Sequence, residues 1–210
     1  MVEPITRQSA LRGRYREGVS GADSHTPGIE LQQHRVNAVI QLNGIDAPAL
    51  ERLQRGFGFD AAPEQRAVTA AEITLLWTGP EQWLLISEQI ESVSLVTQLE
   101  KMLADTDATA TDLSHGRVIA RIAGSQARAL LAKACPLDIE SLTLGDCAAT
   151  HLGAITVIIH WHGDNVYDLY VSRSFAVSLW EWLLDAAQEF GCHYLGGGGG
   201  GGGEWTHNVS

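Results

Sequence analysis

The sequence predicts an α+β protein made of two tandem ferredoxin-like, or split βαβ, units, each an antiparallel sheet backed by helices. Three observations lead there. A strand–glycine–helix segment, Val39-Ile40-Gln41-Leu42-Asn43-Gly44 running into Asp46–Leu53, recurs more strongly at Arg117–Ala123, Gly124 and the helix that follows. An internal repeat decides architecture before any chemistry is considered. Each copy then continues through short strands to a second helix, the order of a split βαβ unit. Finally, 45% of the 210 residues are hydrophobic, enough to bury a core.

The elements follow in order. Residues 1–34, rich in Gly, Ser, Arg and Pro and without a lasting period, are expected to form an extended arm. The first unit is expected over 35–107. Val36–Leu42 reads as a strand, and Asp46 caps a helix with Pro48 in its first turn, ended by Gly56 and Gly58. Ile73–Trp77 and Gln82–Ser87 read as strands around a Thr78-Gly79-Pro80-Glu81 turn. Leu95, Val96, Leu99, Met102 and Leu103 repeat at helical spacing.

The second unit is expected over 108–195. Thr109–Ser114 and Arg117–Ala123 read as strands, and Ser125 as the cap of a helix stopped by Pro136. Cys147–Gly153, Ala154–His162 and Val166–Ser172 are three more strands, the last two joined at Gly163-Asp164-Asn165. A closing helix spans about 174–190, with Phe175, Leu179, Trp182, Leu183, Ala186 and Phe190 as its main stripe. Trp180, Leu184 and Ala187 widen that stripe beyond the ~100° that one buried face requires. The tail, 196–210, contains eight consecutive glycines, Gly196–Gly203, and reads as a flexible linker.

Composition narrows the functional classes. The formal net charge is −11, from 25 acidic and 14 basic residues, which argues against nucleic acid or an anionic membrane as the main partner. Arginines gather near the start at Arg7, Arg12, Arg14, Arg16 and Arg35. They suit either a solvated arm or one laid on an acidic partner. Three cysteines without a C-x-x-C pair, no signal-peptide pattern and no ~20-residue apolar run predict a reduced, cytoplasmic protein.

Candidate sites are few. His160 and His162 share one side of a strand, and with His151 from a neighbouring strand they could hold a metal, although satisfied strand histidines are the simpler reading. Asp112-x-Ser114-His115 superficially suggests a hydrolase. It lacks a G-x-S-x-G elbow, and a tight turn capped by Asp112 explains it better. Cys135 reads as a core residue. Phosphate-loop and dinucleotide signatures are missing. Catalytic, cofactor and metal residues are therefore expected to be none in this chain. Six tryptophans include Trp180 and Trp182, two residues apart and so pointing in different directions on a helix, and Trp205 in the tail. Together with Arg12, Arg14 and Arg16 they are the candidate interface residues.

Four segments in sequence resemble one family, the gamma subunit of bacterial heterotetrameric sarcosine oxidase. They are Trp77-Thr78-Gly79-Pro80-Glu81-Gln82-Trp83-Leu84-Leu85, Asp112-Leu113-Ser114-His115-Gly116-Arg117, Ala134-Cys135-Pro136-Leu137-Asp138, and Tyr167–Phe175 running into Leu179-Trp180-Glu181-Trp182-Leu183. The likeness covers about residues 36–191, and the family is similar in turn to the folate-binding fold of aminomethyltransferase. The resemblance implies a subunit that carries no catalytic residue, in an assembly with alpha, beta and delta subunits. That assembly oxidises sarcosine with oxygen to glycine and hydrogen peroxide and forms 5,10-methylenetetrahydrofolate. It implies FAD, FMN, NAD, zinc and tetrahydrofolate in the partner subunits. The alternative is a free-standing folate-binding or one-carbon-transfer protein, which would gather Asp112, Trp83 and Tyr170 in one cleft.

Overall fold

Two sheets stacked face to face, with helices on their outer surfaces, organise the chain. The structure is a computed structural model that describes residues 9–12, 17–21 and 26–195. Its strands and helices are β1 (Gly18–Ser20), β2 (Ile29–His34), β3 (Ala38–Asn43), α1 (Ala47–Phe57), β4 (Ala67–Ala70), β5 (Ile73–Gly79), β6 (Gln82–Ser87), α2 (Ser92–Leu103) and β7 (Thr109–Asp112). They continue as β8 (Arg117–Ala123), α3 (Ala127–Ala132), β9 (Cys147–Leu152), β10 (Ile155–Gly163), β11 (Val166–Ser172), α4 (Ala176–Ala187) and β12 (Cys192–Leu195).

The repeat is visible in the strand order. The first sheet runs β4-β5-β6-β3-β7, and the second runs β9-β10-β11-β8-β2-β12-β1. Sequence order β3-α1-β4-β5-β6-α2-β7 is matched by β8-α3-β9-β10-β11-α4-β12. The differences are β1, added at the edge beside β12, and β2, which lies between β8 and β12, antiparallel to the first and parallel to the second. The tandem split βαβ architecture is thus present, with one strand inserted.

Two boundaries differ from the expectation. Residues 1–34 are not only an arm: Gly18–Ser20 pairs with β12, and Ile29–His34 enters the second sheet by burying Ile29 and Leu31. That strand carries only two alternating apolar residues before Gln32-Gln33-His34, too short a pattern to stand out. The unit boundary at 107/108 also shifts, because β7 pairs with β3 and closes the first sheet. The crossing lies at residues 113–116 instead. The tail 196–210 falls outside the described residues.

Three apolar cores hold the layers. Leu42, Leu53, Leu85, Leu95 and Leu99 fill the space under α1 and α2. Ile122, Leu130, Leu169, Leu179 and Trp180 do the same under α3 and α4. Val39, Leu84, Ile86, Ile119, Ile158 and Tyr170 pack between the two sheets. Alternation explains this division: in β8, Val118, Ala120 and Ile122 face the helices while Ile119 faces the other sheet. An isolated antiparallel bridge, Arg66 to Asp146, stitches the sheets at one end, with Ala67 N–H donating to the Gly145 carbonyl at 2.7 Å.

Local chemistry sets the helix ends. Asp46 accepts from the Ala49 amide at 2.9 Å, and Gly58 closes α1 with φ 79°. The expected Ser125 cap is not made. The cap position of α3 is Gln126, whose amide donates to Gly28 at 3.1 Å, so the inserted strand region takes the donor instead. In α4 the buried residues are Ala176, Leu179, Trp180, Leu183 and Ala187, whereas Phe175 is 51% exposed. The stripe is rotated from the expected one because Trp180 turns inward to meet the Tyr194 ring edge-on at 5.5 Å.

Candidate functional site

Polar side chains converge on the inner face of the second sheet. Arg121 on β8, Asp168 on β11 and His160 on β10 are register partners and form one row across three strands. Asp168 is 1% exposed and accepts from Arg121 Nε and Nη2, both at 2.7 Å, and from His162 Nε2 at 2.8 Å. Burial pushes this carboxyl up, but the hydrogen bonds and charge of Arg121, helped by His162, outweigh it and hold Asp168 far below the carboxylate range. A bidentate guanidinium–carboxylate pair of this kind is directional as well as strong.

His160 stands beside the pair. Burial and the neighbouring His162 ring, with centroids 3.9 Å apart, lower its pKa to about 3, so the imidazole is neutral. Tyr170, one row further along β11, has its hydroxyl pushed well above its usual value by burial and the Asp168 charge. The first sheet supplies the opposite wall with Ile86 and the β4–β5 hairpin, and Glu88 reaches His34 Nε2 at 2.9 Å. Together they enclose a cavity of about 270 Å³ between the sheets.

Among the described residues that line this space there is no cysteine or serine. Cys147, also on the inner face, donates to the Trp77 carbonyl at 3.2 Å, and burial pushes its thiol up to about 12.

The structure separates most of the residues singled out from sequence. His151 is exposed and opposite Thr156, away from the row containing His160. Among the described residues no group of three or more His, Cys, Asp or Glu is arranged to hold a metal ion. Asp112 caps the turn it was expected to cap: the Ser114 amide donates to it at 2.8 Å and the Ser114 hydroxyl at 2.5 Å. Burial raises the Asp112 pKa, but these bonds, with one from Ser92, outweigh it and bring it below its usual value. Ser114 Oγ in turn accepts from the Val39 amide at 3.0 Å, which ties the turn to β3. Asp112, Trp83 and Tyr170 do not share a cleft. Trp83 is buried under the helices of the first sheet, Tyr170 lies between the sheets, and Asp112 serves its turn.

The interface candidates also divide. Trp180 is 0% exposed and belongs to the core, which corrects its expected role as a partner contact. Trp182 is half-buried at the edge of that core, and Arg12 is exposed. Arg14, Arg16 and Trp205 lie outside the described residues. Sequence reasoning missed Arg121, Asp168 and His34. The available signal was a single charge inside an otherwise apolar strand, Val-Ile-Ala-Arg-Ile-Ala and Val-Tyr-Asp-Leu-Tyr.

Known proteins resemble this chain in sequence and in fold. The chain is 31% identical to sarcosine oxidase subunit gamma of Corynebacterium sp. strain U-96 over 137 residues, covering 64% of this chain and 66% of that one. It is also 31% identical to the gamma subunit of Corynebacterium sp. strain P-1, covering 61% and 64%. The aligned part therefore spans just under two thirds of the relatives' length. A chain of the heterotetrameric sarcosine oxidase from Corynebacterium sp. U-96, solved with pyrrole 2-carboxylate, superposes with a TM-score of 0.70 at 24% identity, covering 77% of this chain and 85% of that one. Glycine cleavage system aminomethyltransferase T from Bartonella henselae gives 0.62 at 18% identity, covering 81% and 48%. A sequence profile of the sarcosine oxidase gamma subunit family matches residues 46–189, from the cap of α1 to the end of α4, and the chain belongs to that family.

Proposed function

We propose that this chain is the non-catalytic gamma subunit of a cytoplasmic heterotetrameric sarcosine oxidase, assembled with alpha, beta and delta subunits. The observation that carries this reading is the family match across both units, residues 46–189. The assembly converts sarcosine to glycine, reduces oxygen to hydrogen peroxide and passes the one-carbon unit to tetrahydrofolate. Its FAD, FMN, NAD, zinc and folate belong to the partner subunits. The residues of this chain agree with a supporting role: its buried carboxylate is saturated by Arg121 and His162, its Asp112 and Ser114 close a turn, and its Cys147 thiol is held protonated. No helix among the described residues is long and apolar enough to cross a membrane. Of the candidate interface residues, half-buried Trp182 and exposed Arg12 are the described ones left open to contact with partner subunits.

Affinity purification of the tagged chain from its native cell tests this. The expected result is four chains in equal amounts, with a flavin spectrum and sarcosine-dependent peroxide formation. A chain that purifies alone, or with partners inert toward sarcosine, overturns it.

A further inference from the structure

The cavity between the sheets holds more hydrogen-bonding capacity than its own residues use. Arg121 commits Nε and Nη2 to Asp168 and leaves Nη1 over. The Tyr170 hydroxyl, on a side chain 3% exposed, makes no hydrogen bond among the described residues. His160, 5% exposed, has a buried Nδ1 without a partner. An unpaired buried group costs about 1–3 kcal/mol and is seldom left in a native protein, and His160 Nδ1 is such a group. Here all three residues line one space, with Arg121 and His160 in the row through Asp168 and Tyr170 next along β11. A guanidinium N–H, a phenol O–H and an imidazole N–H are donors suited to a carboxylate. The rim is of opposite character. Glu72 and Glu88 are both exposed there, beside the hydroxyls of Thr69 and Thr74.

We propose that this cavity binds a small free α-amino acid, with its carboxylate against Arg121, Tyr170 and His160 and its ammonium toward Glu72 and Glu88. Size supports this class of ligand. About 270 Å³ lies just under the ~300 Å³ at which drug-sized pockets begin, so an amino acid fits and a dinucleotide or a folate does not. Charge supports it too. Glu72, Glu88 and Asp168 outnumber Arg121 along the lining, which disfavours a simple anion. A simple amine leaves the floor donors unmet, whereas a zwitterion satisfies both ends. The inference stands apart from the assembly proposed above and is read on a different signal.

Glycine is the test ligand, titrated into the full chain carrying histidine labelled with carbon-13 at Cε1. The expected result is saturable binding near about 1 mM, reported by shifts of the His160 and His162 signals. Acetate and methylamine, which each carry one half of the ligand, bind at least about tenfold more weakly. Tyr170→Phe weakens glycine about tenfold and Glu72→Gln several-fold. Glu72 lies on the exposed rim, so that variant decides the matter if Tyr170→Phe fails to fold. No saturation by about 100 mM, acetate binding as well as glycine, or indifference to Glu72→Gln overturns the proposal and leaves a cavity that holds water only. Purification of the assembly succeeds or fails independently of this titration.

Discussion

At the scale of single residues, the Arg121–Asp168 pair and His160 set the chain's response to mutation and pH. Removing one partner leaves the other buried and unmatched, so Arg121→Ala or Asp168→Ala is expected to cost about 3–5 kcal/mol in denaturant melts. His160 titrates near 3 when folded, against 6.5 for an ordinary imidazole. Between those values the unfolded chain binds the extra proton, so stability is full above about pH 6.5 and falls as pH drops toward 3. The limiting slope is about 1.4 kcal/mol per pH unit. His34, lowered mainly by burial, adds to it, and Asp168 extends the loss to lower pH. Urea melts from pH 7.5 to 4 should show the decline, and His160→Gln should flatten it. A pH-independent midpoint across that range refutes this account. The histidine pair was legible in sequence because His160 and His162 alternate on a strand. Its partners were not, because strand register, which brings Arg121, Asp168 and His160 level, depends on pairing between segments that no local pattern encodes.

At the scale of elements, the strand–glycine–helix segments were the clearest signal, and their glycines do unequal work. Gly124 has φ +117°, and an added Cβ would collide with the Gly28 carbonyl of the inserted strand region. Gly44 has φ +68°, and its Cβ would lie 3.2 Å from the Asp107 carbonyl oxygen. Gly124→Ala is therefore expected to cost about 3 kcal/mol or more, and Gly44→Ala only about 1–2 kcal/mol. Thermal melts of the two variants check the order; a larger loss at Gly44 reverses the interpretation. Helix α1 was readable from Asp46, Pro48 and Gly58 because its caps are local. The short strands β1, β2, β4 and β12 were not. Each is at most six residues long, and each takes its place from the strand beside it rather than from its own period. Helix α4 was found, yet its inward face was misjudged, since Trp180 is drawn in by Tyr194 from a strand that was itself unseen.

At the scale of the whole molecule, the two tryptophans of α4 divide stability from association. Trp180→Ala should cost about 3–5 kcal/mol of folding free energy. Trp182→Ala should leave the chain folded and weaken its association with the proposed partner subunits by about 2 kcal/mol or more, read as a shift in gel-filtration and pull-down titrations. Equal effects of both changes on melting alone would remove Trp182 from the interface. The cysteines supply a check on integrity. Cys135, Cys147 and Cys192 are buried, and burial raises the Cys147 and Cys192 thiols to about 12 and about 11. Native protein at pH 7.5 should resist iodoacetamide, and all three thiols should react in denaturant; rapid native alkylation contradicts the packing. The inserted strand β2 also sets an order of events during synthesis. Leaving the ribosome from its amino end, the chain emits Ile29–His34 before either neighbour exists, since β8 begins at Arg117 and β12 at Cys192. The first sheet can zip up meanwhile, but this strand waits with both edges bare until β8 has emerged, and with one edge bare until β12 follows near the end of the second unit. A nascent chain stalled before residue 117 should therefore expose 29–34 to protease and to chaperone, and release past 195 should hide it.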